Sequence, residues 1–109
     1  MPGTKGLDLR SINLLKAEGW TTVEKVEHYN HMQRRTHDLF GIFDILAVGP
    51  KGTLAVQVTS ASNTAARIRK IADSDAIGDV REAGWTVEVH GWRKNKSNRW
   101  ELHRREDIS

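Results

Sequence analysis

The chain has 109 residues, 38% hydrophobic and 28% charged, with a formal charge of +3 at neutral pH and no cysteine. That length supports one core and not two, so residues 1–109 read as a single domain of globular rather than disordered composition. Disulfides, thiol catalysis and thiolate zinc sites are excluded, and no apolar stretch reaches the roughly 18 residues of a membrane span.

The Met1-Pro2-Gly3 start has no apolar signal core, which makes the cytoplasm the expected location. From Leu7 to Glu18 the sequence predicts a helix in which Asp8, Ile12 and Leu15 recur at i, i+4 and i+7, with Leu9 close to the same face. Leu7 and Leu14 fall roughly opposite, so the stripe is not clean. Gly19 ends the helix and Trp20 opens a new element. Thr21 to Met32 reads as one extended strand, with Glu24 and Glu27 on an exposed face. Gln33 to Asp38 reads as a basic loop carrying Arg34, Arg35 and His37, with Asp38 a loop acid.

Leu39 to Asn63 holds two short apolar runs around Gly49-Pro50-Lys51-Gly52, which has proline and glycine at the second and fourth positions of a tight reversal. Each run carries one polar intruder, Asp44 in the first and Gln57 in the second. If the turn closes a hairpin, Val48 faces Thr53 and Asp44 faces Gln57 on one side of the sheet. A buried carboxylate left unpaired is expensive, so Asp44 calls for neutralisation or coordination, and a divalent metal supplies either.

Ser60-Ala61-Ser62-Asn63 offers side-chain oxygens to cap a second helix, whose apolar stripe is Ala65, Ile68, Ile71 and Ala72, while Asn63, Arg67 and Lys70 share another face. Asp73-Ser74-Asp75 interrupts it, Ser74 caps a second turn region, and Gly84 closes that. Trp85 to Trp92 alternates as a strand, with Trp85, Val87 and Val89 on one side and Thr86, Glu88 and His90 on the other. Asn95 to Asn98 is a turn, and Arg99 to Arg105 returns as a last strand with Trp100 and Leu102 inward. Arg93, Lys94, Lys96, Arg99, Arg104 and Arg105 crowd this end, which suits a polyanion or, equally, a solubilising hairpin. The histidines show no metal-ligand spacing.

The order of elements, with an acid on the second strand and a polar residue opposite it on the third, resembles the PD-(D/E)XK nuclease superfamily. The likeness is greatest to its Holliday-junction-resolvase-like and phage or bacterial nuclease-like branch, and it covers the chain from Asp8 to about Trp92. It implies an α/β fold, a central mixed β-sheet flanked by helices, with a restriction-endonuclease-like αβββαβ core plus a C-terminal strand. Asp44 stands where the family has its strand-two Asp, Gln57 at the strand-three acid, Val58 where a backbone carbonyl meets the metal, and Thr59 in the lysine position. Asp8 occupies the place of the acid in the first helix. Gln57 resembles the Gln-containing variants, whereas Thr59 departs from the pattern.

The resemblance implies a Mg²⁺- or Mn²⁺-dependent endonuclease acting on DNA, with branched or structured DNA among its expected substrates, in a bacterial, archaeal or phage-infected cell. Asp44, Gln57, Val58 and Asp8 would hold the ion, with Lys70 or Arg67 standing in for the absent lysine. Arg34, Arg35, Arg67, Arg69, Lys94 and Lys96 would hold phosphates without reading sequence. Two such sites cut two strands, so a homodimer is expected. The Gln57 and Thr59 departures leave open a nucleic-acid-binding module that has kept the fold and lost the chemistry. A protein-interaction domain using the Trp-rich C-terminal hairpin is also open.

Overall fold

The reversal at Gly49 to Gly52 sets the register of the sheet in the computed structural model, which describes residues 6–109. Met1-Pro2-Gly3 lies outside the described residues. The elements are α1 (Leu7–Ala17), β1 (Thr22–Lys25), β2 (His28–Asn30), β3 (Arg35–His37), β4 (Ile45–Gly49), β5 (Gly52–Ser60), α2 (Thr64–Ala72), α3 (Ile77–Glu82), β6 (Thr86–Lys94) and β7 (Trp100–Asp107). Val48 faces Thr53 and Gly49 faces Gly52, as the turn chemistry requires, and Gly52 takes a φ of +114° that an L side chain would resist.

The main sheet has five strands in the order β1-β4-β5-β6-β7. β5 and β6 are parallel, joined by the α2–α3 crossover, and the other neighbours are antiparallel. The protein is therefore α/β, with a mixed central sheet flanked by helices, and its main-sheet succession is αβββαβ followed by a C-terminal strand. Among the described residues no helix is long and apolar enough to cross a membrane.

Both faces of the sheet are covered, which is why β5 is buried from Leu54 to Thr59 and reads as a nearly continuous apolar run. Leu54, Val56 and Val58 join Ile45, Ala47, Leu7, Leu15 and Trp20 under α1. Ala55 joins Phe43, Ile71, Ile77, Val80, Val87 and Val89 under α2 and α3. Strand alternation then puts Gln57 and Thr59 on the α2 side, where a covered sheet would otherwise carry apolar groups. Gly91 on β6 lets the Ala61–Thr64 segment close down, since a Cβ there would collide with Thr64 Oγ1 and meet Ala61 Cα at 3.1 Å.

Three local expectations are corrected. The Thr21–Met32 strand is two strands in two sheets: the Val26 N–H takes the Asp44 carbonyl at 2.8 Å as the last tie to β4, and the chain then leaves the main sheet. The Gln33–Asp38 loop contains β3, which pairs with β2 as a projecting arm. Ala61–Asn63 makes a 3-10 turn and α2 has no side-chain cap, the Asn63 amide donating to Ser60 Oγ at 3.1 Å instead. Ser74 does cap the next turn, its Oγ accepting the Ala76 N–H at 3.2 Å.

A polar thread ties α1 to the far strands. Ser11 Oγ lies 2.9 Å from His90 Nδ1, and His90 Nε2 lies 2.9 Å from Glu88 Oε1. Arg105 bridges Glu88 to Glu18. Serine, histidine and glutamate are the residue types of a hydrolytic triad, but Ser11 and His90 are both 0% exposed and the Trp92 Nε1–H donates to Ser11 Oγ at 2.9 Å. No substrate reaches that hydroxyl, so the thread is structural.

Candidate metal centre

Asp44 sits just before β4, yet its N–H still bonds to the Val56 carbonyl at 2.9 Å, which holds it in line with the strand. Its side chain points at β5, where Oδ2 accepts from Gln57 Nε2 at 2.5 Å and from the Val58 N–H at 2.8 Å. In an extended strand a residue's N–H and C=O point to the same edge, so the Val58 carbonyl also looks toward β4 rather than β6. The Asp44–Gln57 opposition expected from the turn is therefore present.

Two further acids join Asp44. Glu27 follows β1 and Asp38 follows β3, and one carboxylate oxygen from each of Glu27, Asp38 and Asp44 lies within 4.8 Å of the other two. Glu27 is not on an exposed strand face: it is half-buried, because the chain turns out of the main sheet at Val26. Lysines from two directions meet the acids. Lys25 Nζ is 3.4 Å from Asp8 and 3.6 Å from Glu27, and Lys70 Nζ, from α2, is 3.8 Å from Asp38.

Four carboxylates, of Asp8, Glu27, Asp38 and Asp44, are thus met by two ammonium groups. Asp8, Asp38 and Asp44 are raised, each chiefly by burial. Burial pushes Asp44 up to about 7, opposed by the Val58 N–H and reinforced by the charges of Asp38, Asp8 and Glu27. Asp8 is pushed up to about 6, chiefly by burial, with Lys25 pulling it back. Asp38 is raised by burial and by Glu27, with Lys70 opposing. A divalent cation among these oxygens would supply the two positive charges that the contacts lack.

Two buried oxygens of β5 stand on the α2 side of the sheet. Gln57 Oε1 and Thr59 Oγ1 have no hydrogen-bond partner, though Gln57 is 1% and Thr59 0% exposed. Buried polar atoms are almost always satisfied, so each orphan needs a reason. Turning the Gln57 amide over exchanges Nε2 for Oε1 beside Asp44, which is repulsive without a cation and favourable with one. The donor set of carboxylates and a neutral amide oxygen is that of a hard divalent ion. The residues therefore fit Mg²⁺ or Mn²⁺.

Of the site residues expected from sequence, Asp44, Gln57 and Val58 come together, and Lys70 reaches the group through Asp38. Asp8 is buried but stands beyond Lys25 rather than among the three clustered acids. Thr59 is inside the sheet and brings no charge. Arg67 is half-buried on α2 and its charge acts on Asp38, whereas Arg69 lies roughly on the opposite flank of that helix. Arg34 and Arg35 are exposed on the arm, and Lys94 and Lys96 are exposed at the β6–β7 end, Lys94 lying 5.5 Å over the Trp100 ring. Glu27 and Asp38 were read from sequence as an exposed strand acid and a loop acid, and Lys25 was not singled out. The signal that places the first two is the His28–His37 pairing, whose continuation sets Glu27 opposite Asp38.

The C-terminal ends of the parallel strands β5 and β6 lie at this same end of the sheet, where ligands bind in open α/β folds. A groove of about 430 Å³ opens there beside Trp92, Arg93, Trp100, His103 and Arg104. Comparison of the chain with protein-family models, with curated proteins and with solved structures gives no match.

Proposed function

We propose that this protein is a divalent-metal-dependent endonuclease that hydrolyses phosphodiester bonds in DNA. The observation that carries the proposal is the meeting of Glu27, Asp38 and Asp44 within 4.8 Å, beside the Gln57 amide, which bonds to Asp44 through Nε2 and leaves Oε1 unpartnered. Asp44, Asp38 and Glu27 would hold Mg²⁺ or Mn²⁺, with Gln57 Oε1 and the Val58 carbonyl as neutral donors. When bound, such an ion lowers the pKa of water and offsets charge on the phosphoryl oxygens.

The chain's own groups do the rest. Lys70 replaces the missing cation of the Thr59 position: it is held by Asp38 and is free to turn toward an incoming phosphate once that acid is committed elsewhere. Lys25 keeps Asp8 and Glu27 from repelling one another. The Val58 N–H fixes the orientation of the Asp44 carboxylate, so the reacting end of the site is preorganised. Arg93 and Arg104, which line the groove and are paired with Glu101 and Glu106, and Arg67 on α2 would contact the phosphates of a polyanion. Pairing of two copies would convert nicks into breaks of both strands.

The test is a cleavage assay on a labelled duplex, a nicked duplex and a four-way junction in EDTA, Mg²⁺ and Mn²⁺. Metal-dependent cutting of at least one substrate is expected. Tight, salt-sensitive binding without cutting in any metal would instead establish the binding module. Absence of both would remove nucleic acid from the account.

A further inference from the structure

Glu27 and Asp38, two of the three clustered acids, directly precede β2 and directly follow β3. His28 pairs with His37, so these acids are the next opposed pair, at the root of the arm. The arm is a two-stranded sheet of its own, separate from the main sheet. Its tip is nonetheless held in one shape. Asn30 Oδ1 accepts the N–H groups of Met32 and Gln33 at 2.9 and 3.1 Å, and the His37 ring lies 2.6 Å from Gln33 Oε1. Arg34 completes the reversal at a φ of +54°, a conformation uncommon for a residue with a side chain.

That tip presents one nearly naked apolar side chain in basic surroundings. Met32 is 94% exposed, Arg34 and Arg35 follow it, and no acid occurs between His28 and His37. Met32, with Tyr29 of β2 at 54% exposure, makes an apolar patch too small for a protein interface, which needs a contiguous buried core. It has the make-up of a wedge that enters a DNA groove and loosens the base stack, with arginines on the adjacent phosphates.

We infer that the β2–β3 arm is a DNA-docking element that places Met32 in the minor groove of a duplex, and that docking steadies Glu27 and Asp38 around the cation. This rests on the metal-dependent nuclease function proposed above. DNA and metal then promote each other's binding, and by linkage each raises the other's affinity by the same factor. The arm is thereby a device that loads the site only when substrate is present.

The experiment titrates Mn²⁺ by electron paramagnetic resonance, with and without a short nuclease-resistant phosphorothioate duplex. It compares the wild type with the surface variant Met32→Ala/Arg34→Ala/Arg35→Ala. In the wild type the duplex should tighten Mn²⁺ binding by about tenfold or more. The variant should bind Mn²⁺ alone as the wild type does, bind the duplex about tenfold or more weakly, and lose most of the coupling even when saturated with duplex. Met32→Ala alone should weaken duplex binding without flattening its salt dependence, which the arginine substitutions should flatten. If the triple variant keeps wild-type duplex affinity and coupling, the arm inference is overturned while the nuclease function stands. If the wild type takes up no Mn²⁺ in either condition, the nuclease function fails and the inference with it.

Discussion

Asp44→Asn is expected to lose metal-dependent cleavage by a factor of about 10³ or more, some 4 kcal/mol of transition-state stabilisation, while melting higher than the wild type in EDTA at pH 8. Both halves follow from one carboxylate. Gln57 Nε2 and the Val58 N–H donate to the same oxygen, Oδ2, so an asparagine oxygen can take both bonds and leave its NH₂ for the neighbouring acids. What disappears is a buried charge. Burial holds Asp44 at about 7 in the fold, against about 3.9 in an unfolded chain, so the folded state binds the extra proton between those values. Stability of the metal-free wild type therefore falls as pH rises from about 4 to about 7 and levels off above that. At pH 8 the asparagine variant escapes a penalty of order 2 to 4 kcal/mol, or roughly 10 to 20 °C in melting temperature, and near pH 4 the two proteins should melt together. Melting curves across this pH range and a cleavage time course check both halves. A variant that melts lower at pH 8, or cuts at a wild-type rate, contradicts the role given to Asp44.

Gln57→Glu is expected to destabilise the metal-free protein strongly at pH 8 and to tighten metal binding. The substitution removes the Nε2–H donated to Asp44 and sets a second buried carboxylate at the 2.5 Å contact, where two charges cannot both persist without a proton or a cation. The loss should be about 2 to 4 kcal/mol in EDTA, comparable to breaking a buried charge-assisted bond. Mn²⁺ should recover most of it, because the new carboxylate is a better ligand than the amide oxygen. Melts with EDTA and with saturating Mn²⁺ read this directly. A loss that Mn²⁺ leaves untouched would mean that Gln57 is only a sheet amide.

The parts of the fold that sequence made legible are those governed by short-range chemistry. The Pro50 turn fixed the β4–β5 register, and with it the Asp44–Gln57 opposition, from local residues alone. Ile68 and Ile71 of the α2 stripe, the Ser74 turn and the alternation of β6 were legible for the same reason, whereas Ala65 and Ala72, expected in the same stripe, are exposed. The arm was not. Residues 28–37 carry few apolar groups and no glycine, and their reversal is made by an asparagine side chain bonding forward to two N–H groups. Missing it hid Glu27 and Asp38, whose approach to Asp44 depends on the chain leaving the main sheet at Val26. Lys25 was hidden likewise, since its partners come from α1 and from the root of the arm. Lys70 was accessible from sequence because it lies on the helix that follows the Thr59 position, on the polar face it shares with Asn63 and Arg67.

The most direct measurement is anomalous diffraction at the manganese edge from crystals soaked in MnCl₂. The account predicts a peak held by carboxylates of Asp44, Asp38 and Glu27, with the Gln57 amide turned so that Oε1 faces the ion and Lys70 moved off Asp38. Density showing no ion at the cluster, with Gln57 Nε2 still donating to Asp44, would contradict it.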